Sequence, residues 1–173
     1  VGIADVDAFV AKDSAIDQFA AQQTTSVYTG VQMFPMLPEQ LSTGITSLLE
    51  SSDKAAVVIE FVVAADALGN AGAVGEVSTG DIYPALIRNQ AQLTYNDVGT
   101  WLETPNASNA PAKVATSPEL QAQLKLQDDA AQRLRKQRYL RGALEIETIE
   151  VRPTMRDDQV TGLVKQEKNR ATE

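Results

Sequence analysis

The sequence predicts an α+β fold, a mixed and largely antiparallel sheet with packed helices, and three observations carry that expectation. Residues 54–64, Lys-Ala-Ala-Val-Val-Ile-Glu-Phe-Val-Val-Ala, form a near-continuous apolar run of strand length, the pattern of a strand covered on both faces. A small, glycine-rich stretch at 66–80 separates it from residues 81–93, where Ile82, Pro84 and Leu86 alternate with Tyr83, Ala85 and Ile87, so the chain returns as a neighbouring strand. Helix starts stand before and after these strands, at Ser14, Thr94 and Ser117-Pro118-Glu119. With 173 residues, 43% of them hydrophobic, the chain has the apolar supply of one domain with its own core.

Taken in order, residues 1–6 read as a short strand from which Asp5 and Asp7, two apart, project on one face. That spacing can hold a metal, but a single pair at a strand end more often caps the following turn or accepts backbone donors, so the structural reading is favoured. Ser14 caps a short helix with Ile16, Phe19 and Ala20 inward and Asp17 near the first-turn donors. Residues 24–42 have a composition no regular element tolerates. Ser26-Val27-Tyr28 is β-favouring and stops at a Thr29-Gly30 turn, while Pro35 and Pro38 remove donors and extend Phe34 and Leu37. Pro38 opens a helix at 39–49 with a stripe of Leu41, Ile45, Leu48 and Leu49, disturbed by Gly44 and the threonines. Further on, Pro84 requires an edge strand or a bulge.

Thr94 opens a helix over 95–103 with Val98, Trp101 and Leu102 toward the core. Residues 104–116 lack periodicity and read as a mobile surface loop. The longest helix runs from Ser117 to a stop at Gly142. Its last turns carry Arg133, Arg135, Lys136, Arg138 and Arg141, which fits either the negative end of the helix dipole or a face that tracks phosphates. Residues 144–151 alternate as a strand with Glu145 and Glu147 on a wet face, 155–162 turn back, and 165–173 look like the start of a helix. Because Val1 falls inside an apparent strand, the chain is expected to be an internal piece of something longer.

Composition removes whole classes of chemistry. Cysteine and histidine are absent, which excludes disulfides, thiolate nucleophiles, Ser-His-Asp and Cys-His machinery and imidazole metal ligands. Carboxylates, hydroxyls, amines or a hard cation held by oxygens remain. The longest apolar stretch, 55–68, is interrupted by Glu60 and Asp66 and is too short to span a bilayer, and nothing reads as a signal peptide. The expectation is therefore a cytoplasmic protein with no membrane partner. A net charge of −8 opposes nucleic-acid binding through a general basic surplus, yet acids gathered around a metal give the same total.

A series of ordered blocks adds a resemblance to these readings. Gly2-Ile3-Ala4-Asp5-Val6, Ser14-Ala15-Ile16-Asp17, Thr25-Ser26-Val27-Tyr28, Pro35-Met36-Leu37-Pro38, Leu41-Ser42 and Ser47-Leu48 follow one another, and Ile87-Arg88 and Ala91-Gln92-Leu93-Thr94-Tyr95 continue the order. Together they resemble the catalytic (RNB) domain of the ribonuclease II and ribonuclease R family. The resemblance is dense from Gly2 to about Leu102, thin through the long helix, and returns at Arg170 to Glu173. It implies that residues 1–173 are an internal part of one RNB-type catalytic domain, incomplete as it stands.

The same resemblance implies a magnesium-dependent exoribonuclease that hydrolyses single-stranded RNA from its 3′ end to nucleoside monophosphates. In such enzymes an aspartate cluster holds the magnesium, and those aspartates are expected upstream of this chain, so no catalytic or metal-binding residue is assigned within it. Asp128-Asp129 is no substitute, because adjacent helix positions diverge by about 100°, and Asp157-Asp158 lies in a turn. An arginine-containing segment that positions the scissile phosphate is expected beyond Glu173. What the resemblance places here is RNA binding. Tyr28 matches the tyrosine that stacks on a base near the 3′ end, and Tyr95 and Glu173 match residues that contact ribose. Phe34 and Tyr139 stay open as a second stacking ring. The expected protein is a monomeric hydrolase that is active only when complete. The competing reading is a degenerate RNB-type domain that binds RNA or a protein partner without cleaving.

Overall fold

The computed structural model describes residues 1–64, 75–78, 80–104, 109–144, 150–157, 159–166 and 168–172. The fold is α+β, and the chain divides into two units. The first contains strand β1 (Gly2–Ala4), helix α1 (Ala15–Gln23), strands β2 (Val27–Tyr28) and β3 (Met33–Phe34), a π-helix (Gln40–Ile45) and strand β4 (Asp53–Ile59). The second begins with β5 (Val62–Val63) and β6 (Val77–Ser78), after which β7 (Ile82–Arg88) belongs to the first again. Helices α2 (Tyr95–Glu103), α3 (Ala112–Ala115) and α4 (Pro118–Leu140) lie in the second unit, and the hairpin β8 (Glu150–Arg156) and β9 (Gln159–Gln166) lies in the first.

The first unit is organised by a three-stranded antiparallel sheet in the order β1-β4-β7. Its register puts Ile3 opposite Val57 and Val57 opposite Pro84, so Pro84 sits on an edge strand, where its missing N–H breaks no central ladder. The apolar run expected at 54–64 splits. β4 ends at Ile59, and Val62–Val63 pair instead with β6. The cause is backbone proximity: a Cβ at Gly80 would collide with the Glu60 carbonyl, so only glycine lets the two segments approach that closely. Full cover on both faces is not observed either. Ala56 is completely buried, but Ile82 and Leu86, which share a face with Val57 and Ile59, remain 72% and 78% exposed.

Helix α1 starts at its predicted cap, with the Asp17 amide donating to Ser14 Oγ at 3.3 Å. Of the three residues expected inward, only Ala20 is buried. Ile16 and Phe19 instead line an open cleft of about 330 Å³ with Pro35, Leu37 and Pro38. The helix expected at 39–49 is a six-residue π-helix that buries Leu41 alone, leaving Ile45 and Leu49 exposed. Hydroxyls explain the wider turn. Ser42 Oγ, Thr46 Oγ1 and Ser47 Oγ each donate to the carbonyl five residues back, at 2.8, 2.6 and 3.3 Å, and so compete for the acceptors an α-helix uses. Lys54 Nζ closes the end by donating to the carbonyls of Gly44 and Ile45 at 3.0 and 3.2 Å.

In the second unit α2 buries Val98 and Trp101 as its spacing predicts, and Thr94 Oγ1 caps it by accepting from the Asp97 amide. Lys125 Nζ lies 5.4 Å from the centre of the Trp101 ring. The loop expectation for 104–116 is corrected in its second half. Residues 112–115 form α3, whose Val114 is completely buried and whose Val114 carbonyl accepts from Gln121 Nε2 at 2.9 Å. Four residues are too short to show periodicity, so burial of one valine decides the structure. Residues 105–108 lie outside the described set.

Helix α4 begins at Ser117 and Pro118 and ends as Gly142 predicts. Gly142, at φ +87°, donates to the Tyr139 carbonyl and Ala143 donates to that of Arg138, the paired bonds of a Schellman stop. Glu145 and Glu147, expected on a strand, lie outside the described residues. Contrary to the helix start expected from 165, β9 continues to Gln166. A turn then forms in which Asn169 Oδ1 accepts from the Ala171 and Thr172 amides. Among the described residues no helix is long and apolar enough to cross a membrane.

One ion pair clips β4 to β7. Arg88 Nε and Nη2 each lie 2.7 Å from an Asp53 carboxylate oxygen, and the two residues face each other in register. Hydrogen bonding to Arg88 holds the Asp53 carboxyl below the usual carboxylate range. The pair therefore contributes stability above that range and loses it as the pH falls through the lowered value. In thermal melts, Asp53→Asn should lower the midpoint slightly at neutral pH, with the gap to the parent closing under acid. A gap that stays constant on acidification would contradict the pairing.

Candidate nucleic-acid interface

Tyr28 stands on a very short hairpin. Strands β2 and β3 pair over only two residues each, Val27 with Phe34 and Tyr28 with Met33. A two-stranded ladder of that length is not stable alone, so other contacts must hold it. At the turn, the Thr29 amide and Thr29 Oγ1 both donate to the Gln32 carbonyl, at 2.9 and 2.7 Å, and the Gln32 amide donates back to Thr29 Oγ1. At the base, the Met36 amide donates to Ser26 Oγ at 3.0 Å. The tip rests on β8: a Cβ at Gly30 would meet Met155 Sδ at 2.6 Å and Pro153 Cγ at 3.1 Å. The hairpin is thus fixed from three sides while Tyr28 is left 75% exposed. An aromatic ring held rigidly in solvent offers a flat stacking surface at small entropic cost. Phe34 is also exposed but shares its face with Val27 rather than Tyr28, so the two rings do not flank one space.

Tyr95 occupies the first position of α2 and is 69% exposed. It borders a cavity of about 300 Å³ whose walls include Leu93, Val98, Leu124, Asp128 and Arg170. The cavity is mostly apolar, and among its described lining residues Arg170 Nε pairs with Asp128 Oδ1 at 2.8 Å. Such a space suits the sugar edge of a nucleotide, where a phenol can both donate and accept. Glu173 lies outside the described residues. Arg170 and Ala171, shortly before it, line the same cavity as Tyr95.

The acids are engaged one by one. Asp128 takes Arg170 and Asp129 takes Arg133 four residues on, so the adjacent carboxylates serve different cations, as helical divergence requires. Asp5 and Asp7 do not share a strand face, because β1 stops at Ala4 and Asp7 falls in the turn that follows. Asp5 Oδ1 accepts from the Ala8 amide at 3.2 Å, a turn cap. Asp158 lies outside the described residues. Among the described residues no group of three or more carboxylates forms a possible metal site. In the basic helix end, Arg135 Nε donates to Tyr139 Oη at 3.2 Å with its guanidinium 5.6 Å from the ring centre, so Tyr139 is already stacked.

Sequence reasoning missed the Arg170–Asp128 pair, 42 residues apart, and the close approach of Asn169 to Gly99, where a Cβ would lie 2.5 Å from Asn169 Oδ1. A glycine inside an otherwise regular helix was the available signal.

Comparison with known proteins gives a consistent picture. The RNB domain family model matches residues 1–173. Ribonuclease R of Thermotoga maritima is 35% identical over 170 residues, covering 95% of this chain and 21% of that protein. Ribonuclease R of Vibrio parahaemolyticus is 34% identical over 154 residues, covering 88% of this chain and 17% of that protein. The chain thus spans about a fifth of the length of the curated relatives it matches. The solved structure of Mycoplasma genitalium RNase R in complex with ribose methylated single-stranded RNA is similar with a TM-score of 0.77 and 27% identity, over 98% of this chain and 24% of that one. The same protein in complex with double-stranded RNA gives a TM-score of 0.78 at 27% identity, over 98% of this chain and 28% of that one.

Asp5 as a turn cap makes a measurable claim. Asp5→Ala should cost about 0.5–1.5 kcal/mol of stability through the lost hydrogen bond, and Asp5→Asn, which keeps an acceptor oxygen, should cost less. A large rise in the metal concentration needed for turnover, at unchanged melting, would instead place Asp5 in a metal shell.

Proposed function

The chain belongs to the RNB domain family, and on that premise we propose that it is part of a magnesium-dependent 3′ to 5′ exoribonuclease. That enzyme hydrolyses single-stranded RNA to nucleoside monophosphates, and this part of it grips the RNA 3′ end. The observation that carries the reading is Tyr28, an aromatic ring left three-quarters exposed on a hairpin that its neighbours fix. Packing alone gives no reason to hold a tyrosine in that way, whereas base stacking needs it. Relatives named ribonuclease R, and RNase R structures holding single- or double-stranded RNA, support RNA as the ligand.

Each residue has a stated part in binding. Tyr28 stacks on a base near the 3′ end, and Tyr95 contacts ribose at the mouth of its cavity. Glu173, on resemblance alone, is the second ribose contact, a carboxylate able to accept from the 2′-hydroxyl. Magnesium would polarise a phosphate oxygen and activate water in the complete protein. The described carboxylates of this chain do not form a site for it, so no chemical step is assigned to them. A cytoplasmic, monomeric enzyme remains part of the same proposal.

Two experiments test this reading. The isolated chain should show no magnesium-dependent RNA hydrolysis while the complete protein does, and hydrolysis by the isolated chain would overturn the placement of the chemistry. In the complete protein, Tyr28→Ala should weaken binding of short RNA by about 1–3 kcal/mol, roughly fivefold to more than a hundredfold in affinity, and should lengthen the final undigested product. Tyr28→Phe should retain most of the grip. A folded Tyr28→Ala protein with the same final product length would remove the stacking role.

A further inference from the structure

We propose that Gly99, Asp128 and Asn169 are positioning residues of the Tyr95 site: they dock the turn formed by residues 169–172 on α2 and α4 and so set the width of the cavity that a ribose enters. This rests on the reading of Tyr95 as a sugar contact. Helix α2 carries both sides of the arrangement. Tyr95 lies at its start, and Asn96, Gly99 and Glu103 follow at spacings of three and four, which place them on one stripe.

All three stripe residues touch the turn. Asn169 Nδ2 donates to Asn96 Oδ1 at 3.2 Å, the Asn169 side chain lies where a Cβ on Gly99 would be, and the Arg170 amide donates to Glu103 Oε1 at 3.2 Å. From α4, Asp128 accepts from Arg170 Nε at 2.8 Å through a carboxylate whose side chain is only 12% exposed. A carboxylate so covered needs its cation, because either charge left alone there is costly. The turn is also tied internally. Asn169 Oδ1 accepts from the Ala171 and Thr172 amides at 3.0 and 3.2 Å, and the Asn169 amide donates to Thr172 Oγ1 at 3.0 Å.

Arg170 and Ala171 of the turn line the cavity together with Leu93, Thr94 and Tyr95. A hydrogen bond to a 2′-hydroxyl survives only within a few tenths of an ångström. Displacing the turn by the volume of one methyl group would therefore lose it, while an apolar base or a deoxyribose would be held as before. Discrimination between sugars is the property that depends on the clamp.

The test uses the full-length protein and measures affinity for a short RNA and for DNA of the same sequence, beside the melting temperature. Gly99→Ala, which pushes Asn169 away, and Asp128→Asn, which keeps size but removes charge, should each lower the RNA-over-DNA affinity ratio by about tenfold. Asp128→Glu, which keeps the charge on a longer arm, should recover part of it. If both variants weaken the two nucleic acids equally, the clamp is only structural and the proposal fails. Should Gly99→Ala not fold, Asp128→Asn and its Glu rescue decide alone. Tyr95→Phe separates the premises: a lowered ratio there with an unchanged ratio in the clamp variants sinks only this proposal, and an unchanged ratio in Tyr95→Phe sinks the sugar-contact reading and the proposal with it.

Discussion

Strand β4 is hydrogen-bonded along both edges, and the first unit depends on that double pairing. One edge takes β1 from the start of the chain and the other takes β7, so residues separated by more than fifty positions share one ladder. The strand ends where Glu60 and Gly80 meet backbone to backbone, and there the chain passes into the second unit. The same sheet is held at its far end by Asn89, which donates from Nδ2 to the Leu48 carbonyl and accepts from the Ser51 amide. Breaking the register of β4 by one residue would turn Ala56, the one completely buried residue of the sheet, to the opposite face.

The side chains proposed to bind RNA follow from local constraints rather than from core burial. Tyr28 is fixed by a turn hydroxyl, a glycine tip against β8 and a serine acceptor, none of which covers its ring. Tyr95 is exposed because it is the first helical residue after a capping threonine, at the open end of α2, where it borders the same cavity as Val98. In a chain of net charge −8, a grip made of stacked rings and sugar contacts asks less of the overall electrostatics than phosphate binding does. That reconciles an acidic composition with the proposed RNA ligand.

Where one local signal dominated, the sequence was readable: the caps at Ser14, Thr94 and Ser117, the glycine stop at 142 and the edge position of Pro84 all hold. Two signals in competition were harder. At 39–49 an apolar stripe suggested an α-helix, but hydroxyls that bond five residues back widen it to a π-helix. The apolar run at 54–64 suggested one strand, and a close approach of Gly80, twenty residues away, divides it. Ile16 and Phe19 sit on the predicted inner face of α1, yet what they meet is an open cleft. The docking of Asn169 and Arg170 joins residues tens of positions apart, and no local pattern encodes it.

The central claim is that this part of the protein holds the 3′ end of RNA through Tyr28 and Tyr95. Photo-crosslinking tests it most directly: a single-stranded RNA carrying 4-thiouridine at its 3′-terminal positions is irradiated with the full-length protein, and the joined peptides are identified. The account predicts adducts on the peptides containing Tyr28 and Tyr95, lost when the photoreactive base is moved to the 5′ end. Adducts from the 3′ end that avoid both peptides would contradict it.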